Sequence, residues 1–160
     1  MAGEKILIVE DDVNIAAMVD TMMRENGYLT TIAYDGVSGL ELAMKERPDL
    51  ILLDLRLPQM SGMQLLYELH EQQLNIPVIV ATAWSSEELA VQSLRMGVKD
   101  YIKKPFSLEE LSEVIERALE EGRLRRERDI LNEQLVLFNQ RLKQRLRQLR
   151  ALYEVGQAVT

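Results

Sequence analysis

Apolar positions fall into runs of two kinds along the chain. Ile6-Leu7-Ile8-Val9, Leu50-Ile51-Leu52-Leu53 and the segment from Ile76 to Thr82 are apolar runs, which predicts strands buried on both faces of a parallel sheet. Tyr28 to Tyr34 and Val98 to Lys103 are shorter β-rich segments that add two more strands. Between them the period changes to three and four. Ile15, Met18, Val19, Met22 and Met23 mark one helix, ended by Asn26-Gly27. Val37 to Arg47, after an Asp35-Gly36 turn, marks a second over Leu40, Leu42, Ala43 and Met44. Met63, Leu65, Leu66 and Leu69 mark a third, capped by Ser61. A fourth, capped by Ser85 or Ser86, runs to Met96-Gly97, and a capping box at Ser107-Leu108-Glu109-Glu110 opens the last. Strand and helix alternate five times. This predicts an α/β fold with a doubly wound, five-stranded parallel sheet and helices on both faces. The methionines fit the helical spacing as core filler.

The polar residues that close these runs change the picture. In a parallel sheet every strand's carboxyl end lies on one edge, where open α/β sheets bind ligands. That edge gathers Glu10-Asp11-Asp12 after the first strand, Asp54 after the third, Thr82 at the end of the fourth and Lys104 after the fifth. Clustered carboxylates repel unless a cation joins them. Oxygen-only donors in a partly hydrated site suit Mg²⁺, with a lysine and a hydroxyl for phosphoryl oxygens. The set describes a carboxylate, Asp54, ready to accept a phosphoryl group. Asp12 is better placed as the N-cap of the first helix than as a ligand. His70 lies among polar residues and reads as a solvated surface histidine.

Composition sets bounds on this reading. The 160 residues include no cysteine and one histidine, which excludes thiolate and His-rich zinc sites. No apolar run is long enough for a membrane span, and no signal peptide precedes the first strand, so a cytoplasmic protein is expected. Residues 122–160 hold 9 basic and 4 acidic side chains, leaving 10 basic and 22 acidic for residues 1–121. The overall charge of −7 thus divides into −12 and +5, placing a domain boundary near Gly122.

Four stretches carry a family resemblance: Ile6 to Asp12, Asp54 to Gly62, Ala81-Thr82-Ala83 and Asp100 to Phe106. Together they resemble the receiver domain of bacterial two-component response regulators, over about residues 4–121. The resemblance implies a flavodoxin-like strand order, 2-1-3-4-5. It makes Asp54 the phospho-acceptor and Asp11 the direct Mg²⁺ ligand. Glu10 would bind Mg²⁺ through water, and Arg56 would lend its backbone carbonyl. Thr82 becomes the switch hydroxyl, Tyr101 the aromatic switch and Lys104 the phosphoryl-binding lysine, presented by a cis Lys104–Pro105 bond. The partner it implies is a histidine kinase. Arg56 and Trp84, two residues past Asp54 and Thr82, are expected to overhang the acceptor and hinder the water that hydrolyses it. An aspartyl-phosphate phosphatase would need an acid where Arg56 stands, which argues against that enzyme class; no substrate-turnover activity is expected.

In a receiver the last helix stops near Glu121. Here the helical pattern continues, with no proline and no glycine after Gly122 until Gly156. A heptad frame places Arg128, Leu135, Leu142 and Leu149 at a, and Leu124, Leu131, Phe138, Arg145 and Leu152 at d. Residues 124–152 are therefore expected to form a parallel homodimeric coiled coil, conditional because the seam holds two arginines. A DNA-binding role for the basic run Arg123 to Arg128 is the alternative, disfavoured because no recognition element follows. A free-standing receiver acting by docking alone is disfavoured by the coil itself. Leu149 to Thr160 resembles the signalling helix that enters a GAF-type sensory domain, so a missing output or sensory domain is expected to follow.

Overall fold

The computed structural model describes residues 3–83 and 87–159. Five strands alternate with five helices: β1 (Lys5–Val9), α1 (Val13–Glu25), β2 (Leu29–Ala33), α2 (Gly36–Glu46), β3 (Leu50–Leu53), α3 (Gly62–Glu71), β4 (Val78–Thr82), α4 (Glu87–Arg95), β5 (Asp100–Lys103) and α5 (Leu108–Val159). All neighbouring strands are parallel, in the order β2-β1-β3-β4-β5. The chain therefore has the doubly wound sheet its alternating pattern predicts. It divides into two units, the first ending at Glu121 and the second starting at Gly122.

Strand alternation sends each face of the sheet to a different helical layer. Ile6, Ile8, Leu50, Leu52, Ile79, Ala81 and Ile102 meet Val19, Met22 and Met23 of α1, and Leu111, Ile115 and Leu119 of α5. Leu7, Val9, Ile51, Leu53, Val78 and Val80 meet Ala43 of α2 and Leu65, Leu66 and Leu69 of α3, with Leu89 of α4 half-buried beside them. β1, β3 and β4 are central and fully covered, which is why they read as continuous apolar runs.

Several helix boundaries depend on polar caps. The Asp12 side chain accepts from the amides of Asn14 and Ile15, so it is the N-cap of α1. Ser61 and Gln64 form a capping box on α3, and Ser107 and Glu110 form one on α5. Gly27 has φ +86°, the left-handed conformation expected after α1.

Some expectations need correction. Asp35-Gly36 is no turn: Asp35 caps α2, and Gly36 is its first residue. Met18 and Met44 are not core filler but are 46% and 45% exposed, while Ala16 is fully buried. Both methionines flank the apolar stripe; spacing alone let them pass for part of it. β2, β4 and β5 are shorter than their predicted segments: Tyr28 lies outside β2, where its hydroxyl donates to Glu116 of α5. The serines read as the cap of α4 lie outside the described residues.

Candidate functional site

Three strands on the site edge, β1, β3 and β5, are each extended by one more backbone bond, which fixes the residues that follow. The Glu10 amide donates to Ala33 O (3.0 Å), the Asp54 amide to Val9 O (3.0 Å) and the Lys104 amide to Thr82 O (3.0 Å). Three side chains from three different strand ends thus start from rigid positions. They meet. The Lys104 Nζ donates to Asp54 Oδ2 at 2.9 Å and also to Glu10 Oε2. All three side chains are largely buried, with relative exposures of 12% for Lys104, 9% for Asp54 and 7% for Glu10.

The remaining oxygens are held too. Asp54 Oδ1 accepts from the Arg56 amide at 3.0 Å, and Glu10 Oε1 accepts from the Asp12 amide at 3.1 Å. Asp11 is exposed, yet one oxygen each of Glu10, Asp11 and Asp54 lie within 4.8 Å of one another. Two acids therefore share one amine, and Asp11 adds a third carboxylate beside them. Burial lowers the Lys104 pKa, but hydrogen bonds to Glu10 and Asp54 and their charges outweigh it and carry the amine above the ordinary lysine range. Burial lifts Glu10 above the usual carboxylate range, and the Asp54 charge adds to this, against the pull of Lys104. Of these three acids, two are in excess of the one bonded amine.

The loop from Asp54 to Gly62 is packed by glycines that hydropathy cannot reveal. A Cβ on Gly36 would lie 2.1 Å from the Met60 carbonyl oxygen, and one on Gly62 would lie 2.6 Å from the Asp54 carbonyl oxygen. Only glycine fits either place. Gln59 in the same loop has φ +68°, a conformation uncommon for a side-chain-bearing residue.

The other predicted residues fall around this cluster. Thr82 closes β4 and is buried; the β3–β4 register puts Asp54 level with Ala81, one step before it. Tyr101 is half-buried on β5, paired with Val80 and packed on the α3-side core. Burial raises the Tyr101 pKa, and the Asp54 charge raises it further. Lys103 is exposed and takes no part in the Glu10–Asp54 pairing. The Lys104–Pro105 bond is cis. The Arg56 side chain is exposed. Trp84, expected to overhang Asp54 with it, lies outside the described residues. Sequence reasoning missed the Arg56 amide as a partner for Asp54, because a main-chain donor has no signature in residue type.

The response regulator receiver domain family matches residues 6–116. Sporulation initiation phosphotransferase F of Bacillus subtilis is 34% identical over 119 residues, covering 74% of this chain and 96% of that protein. The regulatory protein AtoC of Escherichia coli is 38% identical over 79% of this chain, but this chain spans only 27% of its length. A CheY-like receiver domain from Methanospirillum hungatei superposes with a TM-score of 0.73 at 34% identity, covering 76% of this chain and 98% of its own. The chain belongs to the response regulator receiver domain family, and its first unit is a receiver of phosphorelay signalling.

Proposed function

We propose that Asp54 accepts the phosphoryl group, from a histidine kinase. The observation that carries this is the bridge from Lys104 to Asp54 and Glu10 in a largely buried site on the carboxyl edge of the sheet. In the reaction an Asp54 oxygen forms the new O–P bond as the P–N bond of the kinase phosphohistidine breaks. The electron pair returns to the imidazole. Lys104 then transfers its hydrogen bond from the carboxylate to a phosphoryl oxygen.

Three converging carboxylates, two of them bonded to a single amine, fit a hard divalent cation. Asp11, Asp54, the Arg56 carbonyl and, through water, Glu10 would hold Mg²⁺, which supplies charge neutralisation for in-line transfer. Thr82 and Tyr101 form the switch: Thr82 moves to the phosphoryl group, and Tyr101 turns further into the space it leaves. The receiver promotes its own phosphorylation and hydrolysis and turns over no other substrate.

The helix beyond Gly122 carries the output. Its described side chains from Leu124 onward are all exposed in a single chain, which supports self-association with a second copy as a parallel coiled coil. A downstream output or sensory domain would receive the change.

The test is intact-mass measurement after incubation with acetyl phosphate and Mg²⁺. Wild type gains one phosphoryl group and Asp54→Asn gains none. Incorporation into the variant, or none into wild type, would remove the assignment. Beryllofluoride with Mg²⁺ in the same pair reports oligomeric state on the mimic of the loaded site.

A further inference from the structure

An uninterrupted heptad frame along the second unit puts Arg145 on the seam and leaves Leu146 outside it. Both are exposed in the single chain, Leu146 at 65%. A different row avoids every charge. Leu131, Leu135, Phe138, Leu142, Leu146, Leu149 and Tyr153 follow one another at spacings of four, three, four, four, three and four. The two successive fours, across Leu142, are one four-residue insertion in the heptad, a stutter that locally unwinds a left-handed coil.

We infer that this chain self-associates as a parallel dimer through the stuttered row, with Arg145 and Leu152 beside the seam and Leu146 and Tyr153 in it. The inference rests on the self-association reading above and replaces its register. Three observations carry it. The row has no charged member over three heptad lengths, the span at which a coil seam becomes distinct from chance. Its seven side chains are 46–66% exposed, leaving on the order of 700 Å² per chain to cover, near the ~800 Å² per partner of a standard interface. Residues 134–153 carry five basic side chains and no acid. An arginine in the seam would bury one of those charges against its own copy, with no carboxylate to pair it, whereas beside the seam it reaches water.

The chain has no cysteine, so single cysteines report register directly. Homologous core positions of two parallel helices face each other within disulfide reach, and flanking positions diverge. The full chain is oxidised with copper phenanthroline after Cys substitution at 142, 145, 146, 149, 152 or 153. Leu142→Cys and Leu149→Cys lie on both candidate seams and test association itself. Leu146→Cys and Tyr153→Cys should link about fivefold more than Arg145→Cys and Leu152→Cys, as core geometry requires. The reverse ranking establishes the uninterrupted heptad and overturns the stutter while leaving self-association intact. Absence of linkage at both 142 and 149, with beryllofluoride and Mg²⁺ present, overturns self-association itself. Linkage confined to a single position indicates antiparallel helices and also overturns the proposal.

Discussion

The two units treat apolar side chains in opposite ways. In the receiver, leucines at helical spacing are consumed: Leu65 is 0% exposed and Leu111 is 0% exposed. Past Gly122 the same residue at the same spacing stays in solvent, with Leu135 at 56% and Leu149 at 59%. A repeating apolar pattern therefore states only that a partner surface exists. In the receiver the chain supplies that surface, because a twisted sheet presents two apolar faces to five helices. In the second unit the described leucines stay exposed in the single chain, and the helix depends on another molecule or on its own modest propensity.

The comparison breaks most clearly on matched truncations. Leu65→Ala should cost the receiver roughly 3 kcal/mol, a transfer loss plus a cavity, and lower its urea midpoint. Leu135→Ala should leave that midpoint within about 0.5 kcal/mol, as expected for an exposed site. A receiver destabilised equally by both would show that the second unit is not energetically separate.

Lys104→Met gives the next largest effect. It leaves two largely buried carboxylates facing each other, costing about 2 kcal/mol in chelator, below the ~3–5 of a deeply buried pair because the site opens to solvent. The sign with pH follows from the raised folded-state pKa. The lysine contribution is complete below its ordinary value of about 10.4 and is lost as pH rises through the raised one. The difference between wild type and variant, measured by urea unfolding, should therefore be constant near neutrality and shrink in strong alkali. A difference that grows there would contradict the pairing.

Gly122→Ala should have the smallest effect. A Cβ there meets nothing within 4 Å, and alanine favours helix over glycine by roughly 0.5–1 kcal/mol. Helicity by circular dichroism should rise at elevated temperature, and phosphoryl incorporation should stay unchanged. A loss of helicity would show that Gly122 is needed where it stands.

The sheet and its site edge were legible for one reason: β1, β3 and β4 are covered on both sides, so burial erased every polar residue until the strand ended. What remained at the ends, Glu10, Asp11, Asp54 and Thr82, stood out against that silence. Lys104 followed from its place after the fifth strand. Features without hydropathy were not legible. Gly36 carries no signal that a carbonyl oxygen lies where its side chain would be, and Asp35 looks the same in a turn as at a helix cap. Met18 and Met44 misled because flank and core share a spacing of three or four. The Arg56 amide could not be read from residue type at all.

The doubly bonded Lys104 amine has a consequence for timing. The receiver carries a resident counter-ion on a tether, and its two inner acids, Glu10 and Asp54, do not face each other bare. Under the proposed function, loading Asp54 would be an exchange of partners among groups already in position.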